Sequence, residues 1–166
     1  MTVNFAKSGV IAENGKSCLF EGAISVKYYS TLGSDINRIN NVASKKMYFW
    51  IGKDYEALKA AGTPLTKENA SYSVDMSEYS AYGNLYEASA ISEGIVAKEL
   101  GDTLYAVACV TEADGTEHCT GIITYSPEQY SANQISKNTN PAQAKLCKGM
   151  VIYGEFIARY LADRYN

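Results

Sequence analysis

The chain has 166 residues, a formal net charge of −3 and a hydrophobic fraction of 46%. These values are typical of one globular domain with an ordinary core, and the acidic balance argues against nucleic acid as a partner. The first 15 residues lack the basic and apolar segments of a secretory signal peptide. We therefore expect either that the chain acts where it is made or that it is a piece of a larger protein.

Tyrosine is unusually frequent, with 14 residues against four phenylalanines and one tryptophan. Its large ring and polar tip suit strands, half-buried positions and contact surfaces. The composition therefore favours a β-rich fold with tyrosines along its strands. A recognition face lined by tyrosine is a second interpretation, and the two are compatible.

The first part of the chain has the pattern of strands. In the stretch CLFEGAISVKYYSTL, alternation places Phe20, Ile24, Val26 and Tyr28 on one face of an extended segment, which we expect to be buried. The apolar run 47–51 predicts a central strand.

Further short elements follow in chain order. We predict a helical turn at 55–60, a break at 62–64 and a short strand at 72–76. The stretches GNLYEASAIS, TLYAVACVTE and HCTGIITYS predict three more strands, and SEGIVAKELGD between the first two has a helix-turn composition.

The four cysteines match no zinc motif, because no CxxC pair occurs and His118 is the single histidine. We expect neither a metal nor another cofactor. Cys109 and Cys119 flank Asp114-Gly115, which is a hairpin signal. A three-residue loop, 113–115, would make the two cysteines face each other and permit a disulfide. A two-residue turn would place them on opposite faces, and two buried reduced thiols are the alternative.

The period changes to that of helices after residue 125. Ser126 and Pro127 have the composition of a helix start, and Pro141 opens a second, longer helix. Apolar residues recur along this second helix at steps of three and four, in the row Leu146, Met150, Tyr153, Ile157 and Leu161 and in the adjoining row Cys147, Val151, Gly154 and Ala158.

Charged residues such as Lys148, Glu155 and Arg159 interrupt this helix, so we expect no membrane insertion. We expect its apolar stripe to be buried on the sheet or on the preceding helix. The predicted fold class is α+β, a mainly antiparallel, β-sandwich-like domain with two C-terminal helices packed on the sheet. It is a single domain, 1–166, with a strand-rich part, 1–125, and the helices in 126–166.

Several stretches together resemble a family. They are LFEGAISVKYY, the hairpin around ADGTEH, ITYSPEQY and LCKGMVIYGEFIARYL. The resemblance is to a little-characterised, strand-rich module of large secreted and surface proteins of Gram-positive, often gut-dwelling, bacteria. The residues that carry it are Leu19, Glu21, Gly22, Ile24, Tyr28 and Tyr29 in the first strand, and Tyr153, Gly154 and Ala158 in the last helix.

This resemblance implies a strand-rich domain with C-terminal helices, one of several modules in an exported polypeptide, with no established reaction. The chain departs from the family pattern in its four cysteines and in a polar insertion, 54–69. Its shared motifs are packing motifs and not catalytic ones.

The sequence offers little that suits an enzyme. His118 lies beside the predicted hairpin turn, where we expect an exposed imidazole, and no Gly-x-Ser-x-Gly elbow or phosphate-binding glycine loop is present. We therefore expect a non-catalytic binding or spacer module of a bacterial surface or secreted protein, located outside the cell or on its surface, with an adhesive role. An alternative is a structural subunit of an assembled particle, a virion or filament component; an enzyme of unknown reaction comes third.

Exposed aromatics near the polar insertion are the predicted contact residues for a protein or glycan partner. They are Tyr55, Tyr72, Tyr79 and Tyr82, chosen because SEYSAYG and its surroundings give tyrosine no alternating core face. A homo-oligomer is compatible with the sequence, and Cys109 with Cys119 is the disulfide candidate.

Overall fold

The computed structural model describes residues 12–19 and 24–165, which form two antiparallel sheets and several helices. The strands are Ala12–Leu19 (β1), Ile24–Thr31 (β2), Val42–Ile51 (β3), Tyr72–Asp75 (β4), Ser80–Tyr82 (β5), Leu85–Ile95 (β6), Leu104–Glu112 (β7), Glu117–Cys119 (β8) and Ile123–Tyr125 (β9). The helices are Ile36–Asn40 (α1), Gly52–Ala60 (α2), Pro127–Lys137 (α3) and Pro141–Tyr165 (α4), with 3₁₀ turns at Lys67–Asn69 and Ala97–Glu99. The predicted α+β class is confirmed.

The two sheets form a sandwich. The first sheet has the order β1-β2-β6-β5, and the second has the order β4-β3-β7-β8, with β9 also paired to β7. Their inner faces meet at Tyr28 and Phe49, whose ring centroids are 5.7 Å apart, and the Tyr28 hydroxyl donates a hydrogen bond to the Leu104 carbonyl oxygen. Both rings are fully buried, so the main core lies between the sheets.

A second apolar cluster covers the outer face of the second sheet. Because side chains alternate along β3, Met47 and Phe49 enter the main core, whereas Trp50 points to the other side. Leu65 packs there, and the Trp50 indole N–H donates to the Asn69 side-chain oxygen at 3.0 Å. The polar insertion noted in the sequence therefore closes this face of the sheet.

The prediction of a single extended segment across 18–32 is wrong. The segment is divided between β1 and β2, which are antiparallel, with Cys18 opposite Val26. Val26 and Tyr28 are buried as predicted and Ile24 is partly buried, while Phe20 lies outside the described residues.

Two other predicted boundaries also shift. The segment predicted as a helix-turn continues β6 to Ile95 and then forms the 3₁₀ turn Ala97–Glu99. The predicted strand HCTGIITYS divides into β8 and β9. It does so because the Thr120 hydroxyl accepts the hydrogen bond of the Ala108 N–H, at 3.1 Å, in place of a backbone carbonyl.

Both C-terminal helices begin where the sequence predicts. The Ser126 hydroxyl accepts a hydrogen bond from the Gln129 N–H at 3.1 Å, and Pro127 occupies the first turn. The Asn140 side chain accepts from the Gln143 N–H at the start of α4, at 3.3 Å. These caps fix the directions in which the two helices leave the sandwich.

Candidate interaction surface on helix α4

Tyr55 is not exposed as predicted. Its ring stacks on the Tyr105 ring, with centroids 3.6 Å apart and planes 4° apart, and it packs against the second apolar cluster. This stacking covers one face of the Tyr55 ring. Burial raises the pKa of the Tyr105 phenol above its usual value.

Tyr72 and Tyr79 are also half-buried, at the margin of the main core. The Tyr72 ring stacks on Phe49 with centroids 5.0 Å apart, and its hydroxyl bonds the Ser92 hydroxyl at 2.6 Å. The Tyr79 hydroxyl is buried with no hydrogen-bond partner in the part of the chain that the structure describes. Burial raises the pKa of both phenols.

Tyr82 is 53% exposed and is the one predicted contact tyrosine that keeps an open surface. Tyr55 belongs to the cluster outside the second sheet, whereas Tyr72 and Tyr79 pack against the core between the sheets. The four side chains therefore do not share one face. The expected exposure is wrong for three of them. The rings of Tyr55 and Tyr72 stack on Tyr105 and Phe49, and Tyr79 packs against the margin of the main core.

The hairpin carries the disulfide candidate. Cys109 pairs with Cys119 across β7 and β8, and their sulfur atoms are bonded at 2.04 Å. The loop has the three-residue form: the Glu112 N–H donates to the Thr116 carbonyl oxygen, and Gly115 has a φ of +87°. Glycine adopts this left-handed backbone conformation without steric strain, so the three-residue loop can close and the two cysteines face each other.

An ion-pair network lies beside the same hairpin. Arg38 donates two hydrogen bonds to one Glu112 carboxylate oxygen, at 2.9 and 2.6 Å, and the His118 Nε2 atom lies 2.6 Å from that oxygen. The Arg38 and His118 contacts lower the pKa of the Glu112 carboxyl. The His118 side chain is only 13% exposed, so the predicted exposed imidazole is wrong.

Cys109, Glu117 and Cys119 are grouped closely enough to suggest a metal site. A thiolate is the form of cysteine that binds a metal, and here both sulfur atoms are used in the disulfide. Glu117 pairs with Lys67. These three residues therefore hold no metal while the disulfide is intact.

Small residues mark the side of α4 that packs on the rest of the domain. Ala144, Cys147 and Gly154 are buried on this side, where α4 contacts α3 and the Ala97–Glu99 turn. A Cβ atom at position 154 would lie 3.1 Å from the Ala97 carbonyl oxygen. The helix backbone can therefore approach the turn closely only because position 154 is glycine.

The opposite side of α4, which we call the outer face, is apolar and exposed. It consists of Leu146, Gly149, Ile152, Tyr153, Phe156 and Tyr160. Each of its large side chains is at least 50% exposed, and Phe156 reaches 72%. Single exposed apolar residues are common on proteins, but a contiguous row of five on one helix is typical of an interaction surface.

The prediction for this helix is therefore half wrong. Cys147 and Gly154 are buried, and Met150, Val151, Ile157 and Leu161 are partly buried. Leu146 and Tyr153, which the prediction placed in the buried stripe, lie on the outer face, and Ala158 of the same predicted stripe is exposed. The helix has apolar residues on both sides, and the close contact at Gly154 decides which side packs.

Charged residues border the outer face. Lys145, Lys148 and Arg159 are exposed near its edges, and Asp163 is exposed at the end of the helix. The Arg164 guanidinium donates a hydrogen bond to the Tyr160 hydroxyl and lies 5.8 Å from the centre of that ring. The Tyr160 ring is thus held in place at the surface.

A cleft of about 270 Å³ lies on the packed side of α4, between that helix, the start of α3 and residues 97–102. Its volume is below the roughly 300 to 1,000 Å³ of most ligand pockets. Gly154 and Leu100 line it, and Glu128 and Glu155 add carboxylates. The outer face of α4 presents five large apolar side chains to solvent, and we take it as the candidate site.

Among the described residues, no helix combines the length and apolarity needed to cross a bilayer. Comparison of the chain with protein-family models, with curated proteins and with solved structures found no match. No signal in the sequence singled out the residues of the outer face, because apolar spacing alone does not separate a packed side from an exposed one.

Proposed function

We propose that this domain is a non-catalytic protein-binding module whose contact surface is the outer face of α4. The observation that carries the proposal is the row of large apolar side chains, each at least half exposed, on the side of α4 opposite Gly154. Leaving this much apolar surface in water costs roughly 25 cal/mol per Å², so covering it favours binding. Tyr153, Phe156 and Tyr160 also belong to the residue types that are enriched in protein interfaces.

The non-catalytic part of the proposal is supported by where the reactive groups lie. His118 is the only histidine in the sequence, and its Nε2 atom contacts Glu112 and Arg38. Two of the four cysteines form a disulfide in the hairpin. These groups have structural partners that account for them.

The proposed location is outside the cell or on its surface. The Cys109–Cys119 disulfide supports it, because disulfides persist in oxidising compartments and are rare in the cytosol. The resemblance to surface-protein modules of Gram-positive bacteria points the same way, and an adhesive or spacer role in such a protein fits a domain without its own chemistry.

A structural subunit of an assembled particle, such as a virion or filament, is the second candidate. The outer face of α4 favours it as well, since subunit interfaces are apolar at their centres. The two candidates differ in how the contacts close. A module forms a complex of fixed size, whereas a particle subunit continues to add copies.

Photo-crosslinking from position 156 tests the proposed function. The variant Phe156→benzoylphenylalanine keeps an aromatic side chain on the outer face and is irradiated in the cells that produce the chain. We expect a discrete adduct that disappears when Leu146→Glu is added. The variant Tyr82→benzoylphenylalanine is the matched control, because Tyr82 is an aromatic residue outside α4 that is more than half exposed. Equal labelling from the two positions, or none from position 156, would overturn the proposal.

A further inference from the structure

We propose that the outer face of α4 binds the outer face of α4 in a second copy of this chain, with the two helices antiparallel. This inference rests on the proposed function, because it names the partner of the same surface. Three properties of the outer face carry the inference: the spacing of its residues along the helix, its shape and its charges. All three fit a second copy of α4 in the same alignment of the two helices.

The spacing is that of a seam between two helices. Leu146, Gly149, Tyr153, Phe156 and Tyr160 follow one another at steps of three, four, three and four residues. The average step is 3.5 residues, the period at which two helices stay in contact as they wind around each other. A helix that only covers a globular core has the broader stripe seen on the packed side of α4.

The shape is complementary when the helices are antiparallel. Consider a two-fold axis at the level between Gly154 and Glu155. Tyr153 then faces Phe156 of the second copy, and Gly149 faces Tyr160 of the second copy. A Cβ atom at position 149 would meet nothing within 4 Å, so the surface beside Gly149 is open to receive a ring. The Tyr160 ring of each copy thus packs over Gly149 of the other copy, once on each side of the two-fold axis.

The charges favour the same arrangement. In this register Lys145 lies beside Asp163 of the second copy, and the two-fold axis repeats the pair at the other end. In a parallel pair, Arg159 would instead lie beside Arg164 of the second copy, and Gly149 would face Gly149. The parallel arrangement therefore combines repulsion between like charges with a gap in the seam.

The size of the seam sets the expected affinity. From position 146 to position 163 the helix is about 25 Å long, at about 1.5 Å per residue. A single pair of helices of this length gives an interface at the lower end of specific ones, around 1,200 Å² in total or less. We therefore expect a dimer with a dissociation constant on the order of 10 μM.

Sedimentation equilibrium of the full chain from about 1 to 300 μM tests this inference, over a range set by the expected affinity. The wild-type mass should rise from 18.1 kDa towards twice that value. Phe156→Glu should keep its thermal unfolding curve and remain a monomer. Ile36→Glu is the matched control, because Ile36 is an exposed apolar residue on α1 and its replacement should leave the dimer intact.

Charge exchange tests the antiparallel register. Lys145→Asp and Asp163→Lys should each weaken the dimer about fivefold, since each variant places two like charges together at both ends. The double variant should restore the wild-type affinity. If the double variant does not restore the affinity, the antiparallel register is wrong. If the wild type stays a monomer over the whole concentration range, or if Phe156→Glu still dimerises, a second copy is not the partner. If the second copy is ruled out, a crosslinked adduct from position 156 with the mass of the chain plus another protein would identify a different partner. A crosslinked product that stays at monomer mass would instead point to the chain's own 1–11 segment. The two proposals therefore fail separately.

Discussion

Gly154 of α4 lies against Leu100: a Cβ atom at position 154 would be 2.9 Å from the Leu100 Cδ1 atom. The same Cβ atom would lie 3.1 Å from the Ala97 carbonyl oxygen, a backbone atom that cannot turn away as a side chain can. This contact selects the side of α4 that packs on the domain and leaves the other side exposed. The outer face is thus a consequence of one close approach.

Replacing the two glycines of α4 should have opposite effects on stability. Gly154→Ala should lower the free energy of unfolding by about 1 to 2 kcal/mol, because the added methyl group overpacks the contacts with Leu100 and with the Ala97 carbonyl oxygen. Gly149→Ala should raise it by up to about 1 kcal/mol, because alanine favours the helix and the site is open. Urea unfolding of both variants at low protein concentration measures the two values. Equal signs would show that α4 does not pack on this side.

Gly149→Ala should also separate folding from association. The methyl group that stabilises the helix occupies the space that receives Tyr160 of the second copy, so the same variant should weaken the proposed dimer. Sedimentation equilibrium of this variant, run beside its urea unfolding, provides the measurement. A variant that gains both stability and affinity would argue against the register.

Two conservative replacements of tyrosine by phenylalanine should have different effects on the free energy of unfolding. Tyr72→Phe removes the hydrogen bond to Ser92, leaves that buried hydroxyl without its tyrosine partner, and should lower the free energy of unfolding by about 1 to 2 kcal/mol. Tyr79→Phe removes a buried hydroxyl that has no partner among the described residues, so it should be neutral or stabilising. Denaturant unfolding of the pair tests this, and a larger loss for Tyr79→Phe would contradict it.

The hairpin disulfide should contribute to stability through the unfolded state. It joins residues separated by 10 positions, and a loop of this length is worth about 2 to 3 kcal/mol by loss of chain entropy. Reductant should therefore lower the free energy of unfolding by about that amount. The double variant Cys109→Ala, Cys119→Ala should unfold identically with and without reductant. A wild-type protein that ignores reductant would show that the bond is absent or gives no stability.

The Arg38–Glu112–His118 network should make stability depend on pH. The pKa of Glu112 is lowered in the folded chain, so its contribution is present above the pKa of the unfolded chain and is lost as the pH falls through the folded value. Glu112→Gln should therefore be less stable than the wild type at pH 6, and the difference should shrink towards pH 3. Glu93→Gln, an exposed site, is the control. A difference that stays constant with pH would contradict the ion-pair account.

Local signals in the sequence predicted the parts of the fold that depend on local chemistry. Asp114-Gly115 predicted the hairpin, and Ser126 with Pro127 predicted the start of α3, because turn and cap residues act within a few positions. The division of the first predicted strand into β1 and β2 was missed, since a continuous alternation does not mark where a chain reverses. The antiparallel pairing of Cys18 with Val26 establishes it.

The candidate site was largely beyond the reach of the sequence. Apolar periodicity weights large side chains, so Leu146 and Tyr153 were predicted to be buried. Only the adjoining row with Cys147 and Gly154 packs closely, and small residues such as Gly154 matter there because they permit close approach and not because they are hydrophobic. The four predicted contact tyrosines were chosen for a missing alternation, but stacking on Tyr105 and Phe49 explains two of them.

Hydroxyl-radical footprinting at two concentrations tests most directly whether another protein surface covers the outer face of α4. Tyr160 and Tyr82 are a matched pair, because they are 50% and 53% exposed and only Tyr160 is on α4. Between about 1 and 300 μM, a range that brackets the expected dissociation constant, oxidation of Phe156 and Tyr160 should fall severalfold while that of Tyr82 stays constant. Unchanged oxidation of Phe156 and Tyr160 in a sample that has associated would contradict the assignment of this face as the contact surface.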